Sequence, residues 1–380
     1  MKWETYKLKQ LCSEIVDCVN KTAPTSDVPT PYKMLRTSDI RGGKINLENL
    51  NCVTKEVYEK WTRRGKLQKG DVIFTREAPL GEVGLVREEK NYFLGQRLVL
   101  FRSNDKICDG RFLMYSLLWH DNKQAIISKG VGSTVAHLRV PECENIEIKV
   151  PDLDAQHRIA DILSAYDDLI ENNQKQIKLL EEAAQRLYKE WFVDLRVPGH
   201  ENTKIVDGVP EGWSRGLLKE LISVNYGKDH KKAPDDGNIP VYGSGGLMRK
   251  CNKSLFSGEA VLIPRKGSLN NIMYVDETFW TVDTMFYATM KQPHTAVFVY
   301  FFVKAFDMYS MNIGAAVPSM TTKILDAMDV VIPDKETLEK FDKYAKTYFN
   351  KIKTLQGQNE QLKTARDLLL AKLMNGKVEV

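Results

Sequence analysis

The feature that most constrains the fold of this chain is an internal repeat. A β-type run that ends in arginine, residues 72–76 (VIFTR), recurs 189 residues later as residues 261–265 (VLIPR), and each copy precedes a short loop and a second β-type run. Further along, a strand-like segment that ends in proline, residues 146–151, corresponds to residues 328–333 at an offset of 182. The chain is therefore predicted to contain two related globular blocks that differ by insertions and deletions.

A long amphipathic helix is predicted after each block. Apolar residues recur at alternating steps of four and three over 33 positions in both. This is the spacing of a coiled-coil seam, and a helix of that length extends roughly 50 Å. The first seam consists of Ile159, Leu163, Tyr166, Ile170, Asn173, Ile177, Leu180, Ala184, Leu187 and Trp191. The second consists of Phe341, Ala345, Tyr348, Ile352, Leu355, Asn359, Leu362, Arg366, Leu369 and Leu373, with Arg366 as the one misfit.

The two seams also predict a pairing register. If the helices pair antiparallel with facing positions that sum to 532, Asn173 faces Asn359 and Trp191 faces Phe341. A polar pair inside a seam lowers stability but fixes the alignment, because a shift of register would bury each asparagine alone. The alternative is that both asparagines face solvent.

These patterns together predict an α+β fold. Two globular α/β blocks are expected, separated by two long helices that pair as an antiparallel coiled coil. A segment rich in glycine and proline between the halves indicates a linker. The predicted boundaries are 1–151 for the first block, 152–195 for the first helix, 196–212 for the linker, 213–333 for the second block and 334–380 for the second helix.

Motifs of enzymatic chemistry are missing from the sequence. It has no G-x-x-x-x-G-K-[ST] phosphate loop, no Asn/Asp-Pro-Pro-Tyr/Phe tetrapeptide of amino-methyltransferases, and no metal-ligand spacing among its histidines and cysteines. Residues 243–248 (GSGGLM) lack the third glycine of a dinucleotide fingerprint and are interpreted as a turn. The pattern favours a binding protein over a self-contained nuclease or methyltransferase.

Composition and charge narrow the class of protein. Apolar residues make up 43% and charged residues 28%, which is typical of a globular chain, and no apolar run approaches 18 residues. The six scattered cysteines predict free thiols and a reducing, cytoplasmic setting. The net charge is +5, with most of the basic excess in the first 150 residues. That distribution is compatible with a polyanion partner and equally with a solvated surface of mixed sign.

The ordered motifs resemble a known family, the specificity (S) subunits of Type I restriction-modification enzymes. The resemblance covers almost the whole chain. It rests on residues 209–213 (VPEGW), on residues 70–76 (GDVIFTR) and their counterpart in the second block, on residues 154–160 (DAQHRIA), and on residues 172–174 (NNQ). Each motif is weak alone, but their order and their repetition are specific.

The resemblance implies a function in DNA recognition. Subunits of this family carry two target recognition domains, each reading one half of a split sequence in double-stranded DNA, and their paired helices fix the spacing between the half-sites. Two methylation subunits are expected to dock on the helices and to bring S-adenosylmethionine. Restriction subunits, held through the methylation subunits, are expected to add chemistry driven by ATP and magnesium. No cofactor or metal is expected in this chain itself.

Two departures bear on these expectations. The second block is shorter than the first and carries Pro264 where the first has Thr75, so the two blocks are expected to read different half-sites. Arg366 interrupts the second seam. It is expected to face a methylation subunit or to pack on Tyr166 as a cation–π pair, and local fraying is the alternative.

Sequence readout needs donors and acceptors that reach base edges, while other contacts bind phosphate. The candidates in the first block follow β-type runs or lie in a glycine-containing loop: Thr75, Arg76, Gln96, Arg97, Lys129, Gly132, Ser133, Thr134 and His137. Those in the second block are Tyr242, Ser244, Arg265, Lys266, Ser268, Asp283, Thr284, Ser319, Thr321 and Lys323. The residues expected to pair the helices are Tyr166, Ile170, Asn173, Ile177, Leu180, Tyr348, Ile352, Leu355, Asn359 and Leu362.

Structural roles compete with these assignments. Arg76 could instead form a salt bridge with Glu77 or Glu82, the loop at Lys129 could be an ordinary glycine turn, and Tyr242 could be a core residue. At the level of the whole chain, the alternative is an adaptor that joins two proteins through its coiled coil without binding DNA. Salt-dependent binding to duplex DNA would separate the two functions.

Overall fold

The computed structural model describes residues 2–132, 135–311 and 319–380. The chain divides into two compact units, Met1–Asn172 together with Gln358–Val380, and Asn173–Gly357. Each unit combines helices with sheets, which confirms the predicted α+β class. Each unit also contains one of the two blocks predicted from the repeat.

The first unit is built around a four-stranded antiparallel sheet. Its strands occur in the order Cys12–Asp17, Leu98–Ser103, Val72–Thr75 and Val83–Leu85. One smaller sheet contains the strands Asn51–Cys52, Lys33–Leu35 and Tyr92–Leu94. Another pairs Ile40–Arg41 with Lys44–Ile45, and another pairs Glu4–Lys7 with Glu147–Val150. The helices of the block are Leu8–Leu11, Lys55–Trp61, Gly110–Leu118, His120–Ser128 and Val140–Glu144, with a 3-10 turn at Thr37–Asp39.

The second unit has a six-stranded sheet. Its strands occur in the order Ile222–Tyr226, Met285–Met290, Phe256–Pro264, Met273–Thr281, Ile239–Gly243 and Gly246–Cys251. Two-stranded pairs are Ser214–Leu217 with Asp329–Ile332 and Ile205–Val206 with Val209–Pro210. The helices are Ala296–Lys304 and Thr322–Asp326, with 3-10 turns at His200–Asn202, Leu218–Glu220 and His230–Lys232. The helix Ala296–Lys304 is almost wholly apolar because it lies inside the core.

The repeat in the sequence is a repeat in the backbone. In the first unit the entry strand pairs antiparallel with the strand that precedes the long helix, from Glu4 opposite Val150 to Lys7 opposite Glu147. The second unit pairs Ser214–Leu217 with Asp329–Ile332 in the same way. Each of these strand pairs is extended by one corresponding backbone hydrogen bond. It runs from Leu8 N to Ile146 O (2.9 Å) in the first unit and from Leu218 N to Met328 O (2.8 Å) in the second. The first and last strands of each block therefore pair with each other, close to the start of the long helix that follows the block.

The two long helices are Leu153–Tyr188, continued by a π-helical turn at Lys189–Val193, and Lys335–Met374. In the second unit the rings of Trp191 and Phe341 lie 5.9 Å apart, which confirms the predicted facing pair. In the first unit Leu163 shares a core with Leu370 and Leu373. The helix segments within each unit therefore pack on each other along the predicted seams.

The residues assigned to helix pairing are all buried or half-buried. Asn173 and Asn359 are both buried, so the alternative in which their side chains face solvent is wrong. Their mutual pairing stays a prediction. A polar side chain at a buried seam position is consistent with a role in fixing the register.

Arg366 does not make the predicted cation–π contact. Among the described residues its guanidinium instead forms ion pairs with Asp167 and Asp367, and its side chain is only 19% exposed. Asp167 is the residue after Tyr166 on the facing helix, so the register was placed correctly while the partner was not. A carboxylate satisfies a half-buried guanidinium better than a ring face does, because it provides both charge and hydrogen-bond acceptors.

All six cysteines are free, and burial raises the pKa of the Cys12 and Cys143 thiols to about 12. Within the described ranges, no helix has the length and hydropathy needed to cross a membrane.

Candidate nucleic-acid interface

Three distant segments of the first block meet at one place. Arg76 N donates a hydrogen bond to Arg97 O (2.8 Å), and Leu138 N donates one to Arg76 O (3.0 Å). His137 exchanges two backbone hydrogen bonds with Val131 and forms an antiparallel bridge with Glu77. We call this meeting point the first junction and define it by Arg76, Glu77, Arg97, His137 and Leu138.

The second block contains the same arrangement. Arg265 N donates to Thr284 O (2.8 Å), Met320 N donates to Arg265 O (2.9 Å), and Lys266 forms an antiparallel bridge with Ser319. We define the second junction by Arg265, Lys266, Thr284, Ser319 and Met320. Because the hydrogen-bond pattern is shared, Lys266 corresponds to Glu77, Thr284 to Arg97 and Ser319 to His137.

The first junction presents polar and basic side chains to solvent. Arg97 is half-exposed and Lys129 and Gly132 are exposed, while His137 and Gln96 are partly covered. The Gln96 side-chain oxygen Oε1 accepts a hydrogen bond from the Thr22 hydroxyl (3.1 Å), which orients the side-chain amide. The structure thus gathers these candidates at one edge of the block. The predictions for Ser133 and Thr134 lie outside the described residues.

Two candidates of the first block have structural roles instead. The Thr75 side chain is fully buried, and its hydroxyl donates to Pro79 O (2.5 Å) and accepts from Glu82 N (2.9 Å). The Arg76 side chain is 17% exposed, lies 3.1 Å from Asp17 and donates to Leu138 O (3.2 Å). The acidic partner is therefore Asp17 and neither of the two glutamates considered from the sequence. Both side chains hold the junction together, and these structural roles argue against the prediction that they bind DNA.

The second junction also has an exposed edge. Thr284 and Ser319 are partly covered, and Ser244 packs against Gly267, which brings the turn at residue 244 to the same edge. The exposed candidates are Lys266, Ser268, Asp283 and Lys323.

Three candidates of the second block are engaged in the fold. The Arg265 guanidinium donates to Asp283 O (3.2 Å), and Thr321 caps the helix Thr322–Asp326 by accepting from Ile324 N (3.4 Å). The Tyr242 hydroxyl donates to Glu277 (2.5 Å), and its ring packs against the core of the six-stranded sheet. Burial raises the pKa of Tyr242 above its ordinary value because the phenolate would lose hydration. The core interpretation of Tyr242 is therefore the correct one, and stacking on a base is not supported.

Tyr226 was not among the DNA-binding candidates predicted from the sequence. Its side chain is exposed, and the Arg265 guanidinium lies 5.5 Å from the centre of its ring, within cation–π distance. Tyr226 ends a strand directly before Gly227. A second Tyr-Gly pair occurs at residues 242–243, so the sequence does not single out Tyr226. Only the contact with Arg265 identifies it as part of the second junction.

The conformation of Gly132 yields a first prediction. Its φ is +128°, and an added Cβ would lie 2.4 Å from the Val135 carbonyl oxygen. We expect Gly132→Ala to lower the free energy of unfolding by about 1–3 kcal/mol, because a left-handed backbone and a backbone clash must both be accommodated. Urea unfolding of the full chain measures the change. Gly245→Ala is the control, since its Cβ would enter open space; equal midpoints for the two variants would contradict the prediction.

Comparison with known proteins agrees with this arrangement of two blocks. Residues 1–182 and 210–364 match the family described as Type I restriction modification DNA specificity domain. The chain therefore belongs to this family, that of the specificity subunits of Type I restriction-modification systems.

Individual relatives have low sequence identity to this chain but align with most of its length. The Type I restriction enzyme MjaIX specificity subunit of Methanocaldococcus jannaschii is 24% identical over 353 residues, covering 82% of this chain and 78% of that protein. The Type I restriction enzyme HindI specificity subunit of Haemophilus influenzae is 22% identical over 437 residues, covering 89% and 93%. A crystal structure of a Type I S subunit from M. genitalium shares the fold, with a TM-score of 0.61, 19% identity, and coverage of 98% and 96%.

Proposed function

We propose that this chain is the DNA-reading subunit of a Type I restriction-modification complex. Each block reads one half of a split target, and the paired helices set the distance between the half-sites. The catalytic chemistry belongs to partner subunits, which bring S-adenosylmethionine, ATP and magnesium, and this chain acts without a cofactor of its own.

The observation that carries the proposal is the repeated junction. The same pattern of backbone hydrogen bonds holds exposed polar residues in both blocks, while the residues at corresponding positions differ in chemistry, as with Arg97 and Thr284. A scaffold that is kept while its exposed side chains vary is the arrangement expected of two readers for two different half-sites.

A spacer needs each reader to be held firmly on its own helix segment. In the first unit, the Arg111 guanidinium lies 2.6 Å from Asp161 and the Arg87 guanidinium 2.6 Å from Asp168 of the helix. These surface ion pairs add little stability alone, but they accompany a continuous apolar core that includes Ile159. The block is therefore joined to its helix segment by both ion pairs and an apolar core.

The second unit is fastened by different contacts. Trp213 Nε1 donates to Asp334 (3.0 Å), and Lys346 Nζ on the helix lies 2.9 Å from Glu259. The rings of Tyr274 and Phe349 lie 4.8 Å apart, which adds an apolar contact between sheet and helix. These contacts fix the orientation of the second reader on its own helix segment.

The long helices retain apolar side chains that the fold does not cover. They include Leu169 and Leu368 in the first unit and Leu179 and Tyr344 in the second unit, each more than half exposed. Exposed apolar groups on an otherwise charged helix are suited to burial in a protein interface. We assign them to contacts with the methylation subunits.

The proposal is tested by producing the chain with its cognate methylation subunit in a host that lacks DNA methylation and sequencing the modified bases. We expect a split motif with methylated adenines in both halves. The complex should also bind duplex DNA with an affinity that falls steeply with salt, because phosphate neutralisation releases counterions. A continuous motif, or a stable complex without methylation, would contradict the proposal and favour the adaptor.

A further inference from the structure

We infer that Arg97 reads a guanine in the first half-site and that Glu77 positions its guanidinium. The inference rests on the proposed function, because it assigns a base to one of the two readers. Guanine presents O6 and N7 as paired acceptors in the major groove, and the arginine fork matches them with two parallel hydrogen bonds.

The backbone of Arg97 is the first observation that carries the inference. Its φ is +71°, in the left-handed region that glycine and asparagine occupy more easily than arginine. The residue is held there by the hydrogen bond from Arg76 N to its carbonyl oxygen (2.8 Å) and by the buried residue Leu98 that follows. Glycine would fit this turn with less strain, so the presence of arginine points to a use for its side chain.

The state of the guanidinium is the second observation. The Arg97 side chain is 50% exposed, and its nearest acidic contact is 3.4 Å, from Nε to Glu77 Oε2. Within the described part of the chain, its guanidinium makes no other ion pair and no hydrogen bond. A carboxylate beside Nε orients the group while leaving the two terminal nitrogens for a bidentate acceptor. The junction arginines Arg76 and Arg265 donate to carbonyl oxygens instead.

The second junction gives an internal comparison. Lys266 takes the place of Glu77, and Thr284 takes the place of Arg97. A lysine is a point charge without a fork, and a threonine hydroxyl can bond to several base edges or to phosphate. The arginine–carboxylate pair therefore belongs to the first block, and the guanine that it reads belongs to the first half-site.

The test uses Arg97→Gly, which keeps the left-handed turn and removes the side chain, and Arg97→Lys, which keeps the charge and removes the fork. The variants are co-produced with the cognate methylation subunit in a methylation-free host, and the modified motif is sequenced. We expect both to accept other bases at one guanine of the first half-site, with discrimination at that position reduced about 10- to 100-fold. Glu77→Gln should relax the same position less.

The controls separate this inference from the proposed function. The second half-site reports in every variant that the complex is folded and active. Arg139→Ala is the matched control, because Arg139 is an exposed arginine of the same block that is paired with a carboxylate, Glu142, but lies outside the junction; its motif should be unchanged. An unchanged guanine in both Arg97 variants, or a uniform loss of affinity for all sequences, would overturn the inference while a split motif would uphold the proposed function.

Discussion

Lengthening each long helix by one heptad is expected to widen the gap between the two half-sites by about three base pairs and to leave both half-sites unchanged. Seven residues of helix add about 10.5 Å, and DNA rises about 3.4 Å per base pair. A heptad keeps the apolar seam on the same face, whereas other lengths rotate it. Duplicating residues 174–180 together with residues 352–358 keeps facing layers together in the predicted register.

The measurement is the methylated motif of the lengthened chain with its cognate methylation subunit. Duplication of residues 174–180 alone is the control, since it places an unmatched layer in the seam and should abolish methylation. A changed half-site in the doubly lengthened chain would show that the helices do more than set distance. An unchanged spacer would show that they do not set it.

Asp167→Ala is expected to lower the free energy of unfolding by about 3 kcal/mol or more. The Asp167 side chain is 7% exposed, accepts a hydrogen bond from the Tyr115 hydroxyl (2.6 Å) and pairs with Arg366. Its removal leaves the Tyr115 hydroxyl without this acceptor. Of the two ion pairs that Arg366 makes with described residues, only that with the exposed Asp367 would remain, and an under-compensated buried charge is costly.

Urea unfolding of the full chain measures this effect. The matched control is Asp168→Ala, one residue along the same helix, where the carboxylate is 63% exposed and pairs with Arg87. An exposed ion pair contributes at most about 1 kcal/mol. If the two variants unfold at the same denaturant concentration, Asp167 has no special part in joining the block to the helices.

The repeat and the helices could be predicted because their signals are local or periodic. A step of four and three residues places side chains on one face of any helix, so the seam follows from spacing. The facing pair of Trp191 and Phe341 follows once the two asparagines are used to set the register. The same reasoning located Arg366 opposite Tyr166 but could not choose among neighbours one residue apart. The acceptor proved to be Asp167, because the partner of a charge depends on where each side chain points.

The candidate interface was predictable only in outline. Runs that end in polar residues indicated segments that the structure brings together, with Gln96, Arg97 and His137 at one edge. Their division into structural and exposed residues was not predictable. Thr75 and Arg76 are the two residues before Glu77 in the chain. The Thr75 side chain is buried under the turn at Pro79, and the Arg76 side chain is covered by Asp17 and Leu138.

By itself, then, the sequence determined the two-block plan, the long helices, their antiparallel register and the family. All of these depend on periodicity or on the order of motifs along the chain, and both can be identified in the sequence without knowledge of tertiary contacts. The tertiary structure decided which of the candidate polar side chains are exposed and which are engaged in the fold. That choice depends on partners such as Asp17 for Arg76 and Glu277 for Tyr242, and the long-range packing that places each partner cannot be obtained from local pattern.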